Sequence, residues 1–132
     1  MDRIVAYKGL KFTVAYALEK SGTSPGAAFF NDLSLSDKAK LLALFKRIGD
    51  HGEISNPEKF GGLGDGLWEF KSFQVRMPFA YCKKQRGWIV ITHGFIKKKD
   101  KAPQSEIDRA WKIFKEDQEH PLRLTVIKKP RT

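Results

Sequence analysis

Three residues in the middle of the chain have side chains that could transfer protons or stabilise charge. Glu69 and Lys71 lie two positions apart in a segment that alternates apolar and polar residues, so in a strand both side chains would share one face. A carboxylate that is oriented by an adjacent cation can act as a general base. His93 is a second acid–base candidate, because an imidazole changes its charge near neutral pH.

Each of these residues also has a structural interpretation that the sequence leaves open. Glu69 and a neighbouring Lys or Arg can form an ion pair that has no catalytic role. His93 precedes Gly94 within an apolar run, where a histidine is as often a hydrogen-bonded structural residue. The three histidines and the single cysteine show no spacing typical of a metal site, so we expect neither a metal nor another cofactor.

The same stretch carries much of the excess positive charge. The protein has 132 residues and a formal net charge of +10, with an isoelectric point near 9.8. Such a charge favours a polyanionic partner, most often nucleic acid, although a generally basic protein without such a partner stays open. Between residues 71 and 101 a single acid, Asp100, accompanies nine basic residues: Lys71, Arg76, Lys83, Lys84, Arg86, Lys97, Lys98, Lys99 and Lys101.

The composition restricts the class of protein further. A chain of 132 residues with 41% hydrophobic residues is predicted to form one domain, residues 1–132, with a real core. Cys82 is the only cysteine, so no disulfide can form within the chain, as is typical of a reducing compartment. No apolar run approaches the roughly 20 residues of a membrane span, and the N-terminus lacks a signal-peptide core. These features predict a cytoplasmic protein that does not engage membranes.

Three consecutive strands are predicted around the candidate residues, over residues 67–73, 76–82 and 88–96, because apolar and aromatic runs alternate there with short polar breaks. Pro78 cannot donate to a strand ladder, which predicts an irregularity or a free edge at that position. The third run is almost continuously apolar and is predicted to be a central strand. The predicted faces are Leu67, Glu69, Lys71 and Phe73 on the first strand, and Arg76, Pro78, Ala80 and Cys82 on the second.

The N-terminal half is predicted to supply a strand and a helical hairpin. Residues 11–18 have strand character, and residues 3–7 form a short strand or an extended arm. Ser24 is predicted to cap a short helix that runs through residue 31, and Ser36 to cap a second helix that stops at Gly49. The apolar stripe of the second helix, which must cover the sheet, is Leu41, Leu44, Phe45 and Ile48.

The remaining segments connect or cover the strands. Residues 51–66 are predicted to be a glycine-rich connection, since the segment lacks the lysine and the spacing of a phosphate-binding P-loop. A last helix is predicted to begin within residues 102–105 and to pack on the sheet. Its apolar stripe is Ile107, Ala110, Trp111 and Phe114.

Four segments in this order resemble the HigB branch of the RelE/ParE toxin superfamily, which includes phage-derived toxin-like proteins. They are GLWEFK at residues 66–71, VRM at 75–77, THGFIKK at 92–98 and KAPQSEI at 101–107. The combination is more specific than any one segment. The resemblance covers about residues 11–117, which defines a core of that extent and leaves a basic tail at residues 120–132.

The resemblance implies an α+β fold with a twisted, mostly antiparallel sheet, an N-terminal helical hairpin and a C-terminal helix. It also implies the toxin of a type II toxin–antitoxin system, neutralised by a cognate helix-turn-helix antitoxin. The implied activity is metal-independent cleavage of mRNA, often on the ribosome, which inhibits translation. Two alternatives stay open: a ParE-like inhibitor of DNA gyrase that is not a nuclease, and a phage nucleic-acid-binding protein without enzymatic activity.

Metal-free RNA cleavage needs a base for the ribose 2′-OH, cations for the pentavalent phosphate and an acid for the leaving 5′-oxygen. The resemblance assigns Arg76 to the phosphate, because a guanidinium can bind two phosphate oxygens at once. Lys71 stands where the family usually has arginine. The candidate catalytic residues are Arg76, Lys97, His93 and Glu69, and the candidate RNA-binding residues are Lys71, Lys98, Lys99, Lys83 and Lys84.

Overall fold

A computed structural model describes residues 3–53, 59–98 and 103–120. The described part of the chain forms seven strands and three helices, so the predicted α+β class is confirmed. The strands are β1 (Ile4–Lys8), β2 (Thr13–Tyr16), β3 (Phe60–Gly64), β4 (Leu67–Ser72), β5 (Val75–Tyr81), β6 (Trp88–Ile91) and β7 (Phe95–Ile96). The helices are α1 (Pro25–Asn31), α2 (Leu35–His51) and α3 (Gln104–Gln118).

All seven strands belong to one open sheet in the order β1-β2-β6-β5-β4-β3, and β7 pairs with β5 beyond the end of β6. Neighbouring strands are antiparallel except β2 and β6, which are parallel. A parallel pair needs a long crossover connection, and the helical hairpin and the β3–β4–β5 meander provide one between β2 and β6. The predicted mostly antiparallel sheet is therefore confirmed.

The helices cover the two faces of the sheet, as the apolar stripes predicted. On one face the α2 stripe is buried against aromatic and aliphatic side chains that include Phe70, Met77 and Phe79. Burial of each large side chain of this kind contributes about 1.5–3 kcal/mol. On the other face, Ala110 and Ile113 of α3 pack on residues that include Leu67 and Val90. This second face also carries the candidate residues of β4 and β5.

The helix ends differ from two of the predicted positions. Ser34, not Ser36, caps α2, since its Oγ accepts a hydrogen bond from the backbone N–H of Asp37 at 3.1 Å. Ser24 precedes α1 as predicted, but its hydroxyl donates to the carbonyl oxygen of Ala17 at 2.9 Å and makes no cap hydrogen bond.

Gly49 does not end α2, which continues to a left-handed glycine, Gly52, with φ 89°. The physical role of Gly49 is close packing. A Cβ there would come within 2.8 Å of Tyr7 Cδ2, and its carbonyl oxygen accepts the N–H groups of Lys11 and Phe12 at 2.8 Å each. This glycine therefore lets β1 and the segment before β2 pack directly on the helix.

The glycine-rich connection contains a strand that the sequence analysis missed. Residues 60–64 form β3, an edge strand paired with β4. Asp65 and Gly66, both with positive φ, make the tight turn between the two strands. Glycine-rich sequence hides such a strand, because β3 has few side chains that could show a period of two.

The third strand of the predicted meander is two strands, and Pro78 lies opposite the break. β6 ends at Ile91 and β7 begins at Phe95. Between them the N–H of Thr92 donates to the carbonyl oxygen of Pro78 at 2.9 Å, and Pro78 has no N–H with which to continue the ladder. β5 itself runs unbroken through Pro78, so the irregularity predicted for that strand lies instead in its neighbour, between β6 and β7.

The predicted β1 arm is a strand, and the basic tail, apart from residue 120, lies outside the described residues. Among the described helices, none combines the length and the apolar character needed to cross a lipid bilayer.

Candidate active site

Glu69, Lys71 and Arg76 lie on the sheet face that carries α3, at the end of the sheet that the helix does not cover with apolar contacts. Lys71 and Arg76 are direct cross-strand partners in β4 and β5, and Glu69 is two residues before Lys71 on the same face. The alternation of β4 predicted this placement. With Lys97, these residues form what we call the Glu69 cluster: Glu69, Lys71, Arg76 and Lys97.

A carboxylate and a guanidinium meet in the cluster without a direct hydrogen bond. Glu69 Oε2 is 3.9 Å from Arg76 Nε, and the two side chains are only 9% and 10% exposed. Instead, Arg76 Nη1 donates to the backbone carbonyl of Val75 at 3.0 Å and to that of Phe73. Glu69 Oε1 and Arg76 Nε have no hydrogen-bond partner within the described residues. The guanidinium is therefore held by the β4–β5 turn and keeps hydrogen-bonding capacity for a ligand.

Burial raises the pKa of the Glu69 carboxyl above its ordinary value of 4.5, even though Arg76, Lys71 and Lys97 each act to lower that pKa. Removal of the carboxylate from water thus costs more free energy than the three cations return. A carboxyl with a raised pKa is a stronger base when ionised than an exposed one. This combination of desolvation and specific charged neighbours is typical of catalytic carboxylates.

Gly61 of the edge strand β3 opens the space beside the cluster. It pairs with Glu69 across β3 and β4. A Cβ at Gly61 would lie 3.4 Å from Lys71 Nζ and 3.6 Å from Glu69 Oε2. Both charged groups therefore converge on the place where a side chain would stand. This glycine was not among the predicted site residues, although a Gly-Gly pair before a predicted strand is a signal of close approach.

Lys97 joins the cluster through β7. This short strand pairs with Val75 and Arg76, and the backbone N–H of Lys97 donates to the carbonyl oxygen of Gln74 at 2.7 Å. The ammonium group of Lys97 is near enough to act on the pKa of Glu69. Lys98 follows with an exposed side chain, and Lys99 lies outside the described residues. The structure thus brings Lys97 to the predicted site by interrupting the third strand.

His93, the other acid–base candidate, is completely buried in a separate hydrogen-bond network. Its Nε2 is 2.9 Å from Glu106 Oε1, and its Nδ1 is 3.0 Å from Thr92 Oγ1. Burial, with a smaller contribution from the charge of Arg109, lowers the pKa of His93 below 6.5 despite the opposing effect of Glu106. A neutral ring that donates from Nε2 to the Glu106 carboxylate leaves Nδ1 as an acceptor, so the Thr92 hydroxyl then donates to Nδ1 at 3.0 Å and not to the carbonyl oxygen of Pro78 at 3.4 Å.

This geometry makes His93 a residue that positions the first turn of α3. Both ring nitrogens are occupied and no part of the side chain meets solvent, so His93 does not share an open site with Glu69. Glu106 and Thr92 were not predicted as partners of His93. A buried histidine needs such partners, but the pattern of residues did not identify which ones.

Replacement of His93 by glutamine should lower the free energy of unfolding by about 2–4 kcal/mol, through lost packing and lost hydrogen bonds. The lowered pKa of His93 also determines how the stability depends on pH. The unfolded chain takes up a proton near pH 6.5 and the folded chain does not, so wild-type stability should fall as the pH decreases below 6.5. The variant should lack that contribution.

Urea denaturation at pH 7.5 and pH 5.5 measures both effects. His51→Gln, on the exposed last turn of α2, is the control and should change the stability at pH 7.5 by less than about 0.5 kcal/mol. Equal stability of wild type and His93→Gln at pH 7.5 would contradict the positioning role.

Lys83 and Lys84 lie far from the cluster. Both are exposed in the connection between β5 and β6, and Lys84 Nζ donates to the carbonyl oxygen of Gln118 at 3.1 Å, at the C-terminal end of α3. At the rise of a β-strand, Lys83 is about 20 Å along the chain from Arg76. The structure therefore groups Glu69, Lys71, Arg76 and Lys97, and separates them from these two lysines.

The donor atoms of the cluster do not suggest a metal site, because one carboxylate stands among three cations. Among the described residues no group of three or more His, Cys, Asp or Glu side chains is arranged to hold a metal ion. What the cluster offers is one basic carboxylate and several positive charges on a partly open surface. Such an arrangement suits a polyanion that carries a proton to be removed.

A family model described as phage-derived protein Gp49-like matches residues 28–115, which is more than half of the chain. This family is toxin-like and of the RelE type. The chain therefore belongs to the phage-derived Gp49-like family, and the matched region contains the whole Glu69 cluster. A comparison with curated proteins gives no match. The predicted resemblance to phage-derived, RelE-type toxin-like proteins is confirmed, while membership of the HigB branch stays a prediction.

Proposed function

We propose that the protein is a metal-independent RNA endonuclease and the toxin of a toxin–antitoxin pair. The observation that carries this proposal is the Glu69 cluster: a largely buried carboxylate with a raised pKa, 3.9 Å from a guanidinium and under the influence of two lysines. Membership of a RelE-like, toxin-like family supports the proposal. RNA fits the cluster because it carries both the anionic phosphate and a nucleophilic 2′-OH.

In the proposed reaction, the Glu69 carboxylate removes the proton of a ribose 2′-OH. The 2′-oxygen attacks the adjacent phosphorus, and the bond from phosphorus to the 5′-oxygen breaks. Arg76 and Lys71 stabilise the charge of the pentavalent phosphate, and Lys97 is the proposed donor of a proton to the leaving 5′-oxygen. The products are a 2′,3′-cyclic phosphate and a 5′-hydroxyl, so atoms and charge balance without a metal or water.

The proposed cellular substrate is mRNA on the ribosome. The exposed lysines outside the cluster, Lys83, Lys84 and Lys98, fit a large polyanionic surface better than a short oligonucleotide, since each exposed cation adds to binding that depends on salt. The proposed antagonist is a helix-turn-helix antitoxin that covers the cluster. These partners follow from the family resemblance and are part of the proposal.

Arg76→Ala should reduce RNA cleavage by about 10²–10³-fold, the usual effect of removing one donor that stabilises transition-state charge. Arg76→Lys keeps the positive charge but loses the two-point geometry, so it should recover only part of the activity. Primer extension on a translated message, with wild type and both variants, locates and quantifies the cleavage sites. Arg86→Ala is the matched control, because Arg86 is exposed in the β5–β6 connection at the far end of the sheet.

The absence of toxin-dependent cleavage sites on translated messages would refute the nuclease proposal. A supercoiling assay with DNA gyrase, run on the same preparations, tests the main alternative. Inhibition of gyrase by wild type together with intact messages would assign the protein to the ParE-like, non-nuclease class. Because Arg76 also holds the β4–β5 turn, thermal unfolding of each variant is measured to distinguish a loss of activity from a loss of folded protein.

A further inference from the structure

Phe73 is an aromatic residue at the tip of the β4–β5 hairpin that the Glu69 cluster does not use. Its side chain is 70% exposed, and its backbone has φ 54°, in the left-handed region. An aromatic residue is rare in this conformation, where glycine or asparagine is usual. Sequence alternation predicted Phe73 on the same face as Glu69. The left-handed turn instead directs its ring toward the face that carries α2.

Two lysines from other elements are placed over the Phe73 ring. Lys40 Nζ of α2 is 4.1 Å from the ring centroid, and Lys59 Nζ, just before β3, is 5.7 Å from it. Within the described residues neither ammonium group has a carboxylate within 4 Å. The tip of the hairpin therefore carries a largely exposed ring with two ammonium groups over it that pair with no carboxylate among the described residues. We refer to Phe73, Lys40 and Lys59 as the Phe73 platform.

The platform is joined to the Glu69 cluster through the backbone. Arg76 Nη1 donates to the carbonyl oxygen of Phe73, and Lys71 is two residues before Phe73 on β4. A strand bound at the Glu69 cluster that continues around the hairpin tip meets the platform next. The cluster has cations and a base, and the platform has cations and a flat apolar surface.

We propose that the Phe73 platform binds a nucleotide next to the cleaved phosphate in single-stranded RNA. The base takes the place of the ammonium groups over the Phe73 ring and stacks on it, and Lys40 and Lys59, released from the ring, bind the flanking phosphates. The choice of RNA as ligand rests on the proposed function. Every nucleobase has a face that can stack, so the platform contributes affinity for any base. Purines are preferred because they offer more stacking area, and no hydrogen bonds to base edges select a particular sequence.

An acidic protein segment is the other class of ligand that the charges would accept. The ring decides between them, because a largely exposed Phe ring with cations beside it matches the alternation of base and phosphate along a nucleic acid strand. An acidic peptide would use the lysines and gain little from a single ring. The dependence of binding on an aromatic side chain at position 73 therefore separates the two ligands.

The test uses a short single-stranded RNA in which every ribose is 2′-O-methylated, so that it cannot be cleaved, with one 2-aminopurine as a fluorescent base. Stacking on Phe73 should quench the fluorescence, and Phe73→Leu should weaken binding about 10–100-fold, as for the loss of one stacked base. Phe73→Trp should restore both quenching and affinity. Leu35→Ala is the matched control, because Leu35 is an exposed apolar residue, 85% accessible, at the start of α2.

Equal binding of this RNA by wild type and Phe73→Leu would overturn the platform, as would a wild type that does not bind it. Binding of a polyglutamate peptide that depends on Phe73, without such binding of RNA, would assign the platform to an acidic protein partner and also overturn the proposal. Cleavage of unmodified RNA is measured separately. Phe73-dependent binding without cleavage would refute the nuclease proposal alone, and cleavage with Phe73-independent binding would refute the platform alone.

Discussion

Glu69→Gln should reduce RNA cleavage by about 10²–10⁴-fold, the typical contribution of a positioned general base, and should stabilise the folded protein at neutral pH. The amide has nearly the shape of a protonated carboxyl, so the substitution keeps the packing next to the three cations. It removes the group that can accept the proton. The same substitution removes a buried charge whose desolvation outweighs its attraction to Arg76, Lys71 and Lys97. Activity and stability are thus expected to move in opposite directions.

The pH dependence of the stability gain follows from the raised pKa of Glu69. In the unfolded chain the carboxyl loses its proton near pH 4.5, and in the folded protein it does so at a higher pH. Between these two values the folded wild type binds a proton that the unfolded chain has released, so wild-type stability decreases as the pH rises. The advantage of Glu69→Gln should be absent below pH 4.5, grow through the folded-state pKa and then remain constant.

Thermal unfolding from pH 4 to pH 8 measures the stability, and primer extension on the same preparations measures cleavage. For wild type, the cleavage rate should rise with pH as Glu69 ionises. Because the pKa of Glu69 is raised, this increase should be centred above pH 4.5. Glu119→Gln, which changes an exposed residue at the end of α3, should match wild type in both assays. A Glu69→Gln protein that cleaves as fast as wild type would exclude Glu69 as the base.

Local periodicity predicted the placement of three of the four residues of the Glu69 cluster for a definite physical reason. Glu69 and Lys71 obey the two-residue period of a strand whose faces are both partly buried, and that period fixes their common face. Arg76 then follows from the short turn, which places it directly across from Lys71. Local rules suffice for these three residues because one hairpin carries all of them.

The positions of the fourth residue, Lys97, and of Gly61 beside the cluster depend on contacts between distant parts of the chain. Gly61 lies beside the cluster because a glycine-rich segment forms an edge strand. Such a segment has too few side chains for their alternation to predict a strand. Lys97 reaches it because the ladder breaks opposite Pro78, which shifts β7 onto the start of β5. The proline predicted an irregularity, but only the pairing of β7 with Val75 and Arg76 shows where the chain goes next.

For His93, the residue type alone did not determine the role of the side chain. A titratable ring in an apolar run fitted both a catalytic and a structural interpretation. Its environment separates them: full burial, with the Thr92 hydroxyl and the Glu106 carboxylate on its two nitrogens. Glu106 is 13 residues away and on a different element, so the partner could not be identified before the packing of α3 was known.

A second long-range interaction was not foreseen at all, and it joins the two ends of the described chain. Arg3 and Asp117 form a buried ion pair in which Arg3 Nη2 is 2.9 Å from Asp117 Oδ2, with side chains 2% and 0% exposed. Asp117 Oδ1 also accepts the backbone N–H of Leu18 at 2.9 Å. The pair thereby ties the residue before β1 and the end of β2 to the last turn of α3.

Asp117→Ala should lower the free energy of unfolding by about 3–5 kcal/mol, because it leaves the Arg3 guanidinium buried without its counter-charge. It also removes the acceptor for the Leu18 N–H. Cleavage by the fraction that remains folded should be close to that of wild type, since the Glu69 cluster lies on β4, β5 and the segment after β7. Urea denaturation at pH 7.5 gives the stability, and primer extension at low temperature gives the activity.

Asp108→Ala is the matched control, because Asp108 lies on the exposed side of the same helix and, among the described residues, accepts a hydrogen bond from the Gln104 side chain alone, at 2.9 Å. Its effect should stay within about 0.5 kcal/mol. A double variant, Arg3→Met with Asp117→Leu, replaces both charges by apolar groups and should recover much of the lost stability, as expected when the main cost is an unpaired buried charge. If the double variant is no more stable than Asp117→Ala, the loss comes from other contacts of Asp117, such as its hydrogen bonds from the Leu18 N–H and the Gln118 amide, and not from the unpaired guanidinium.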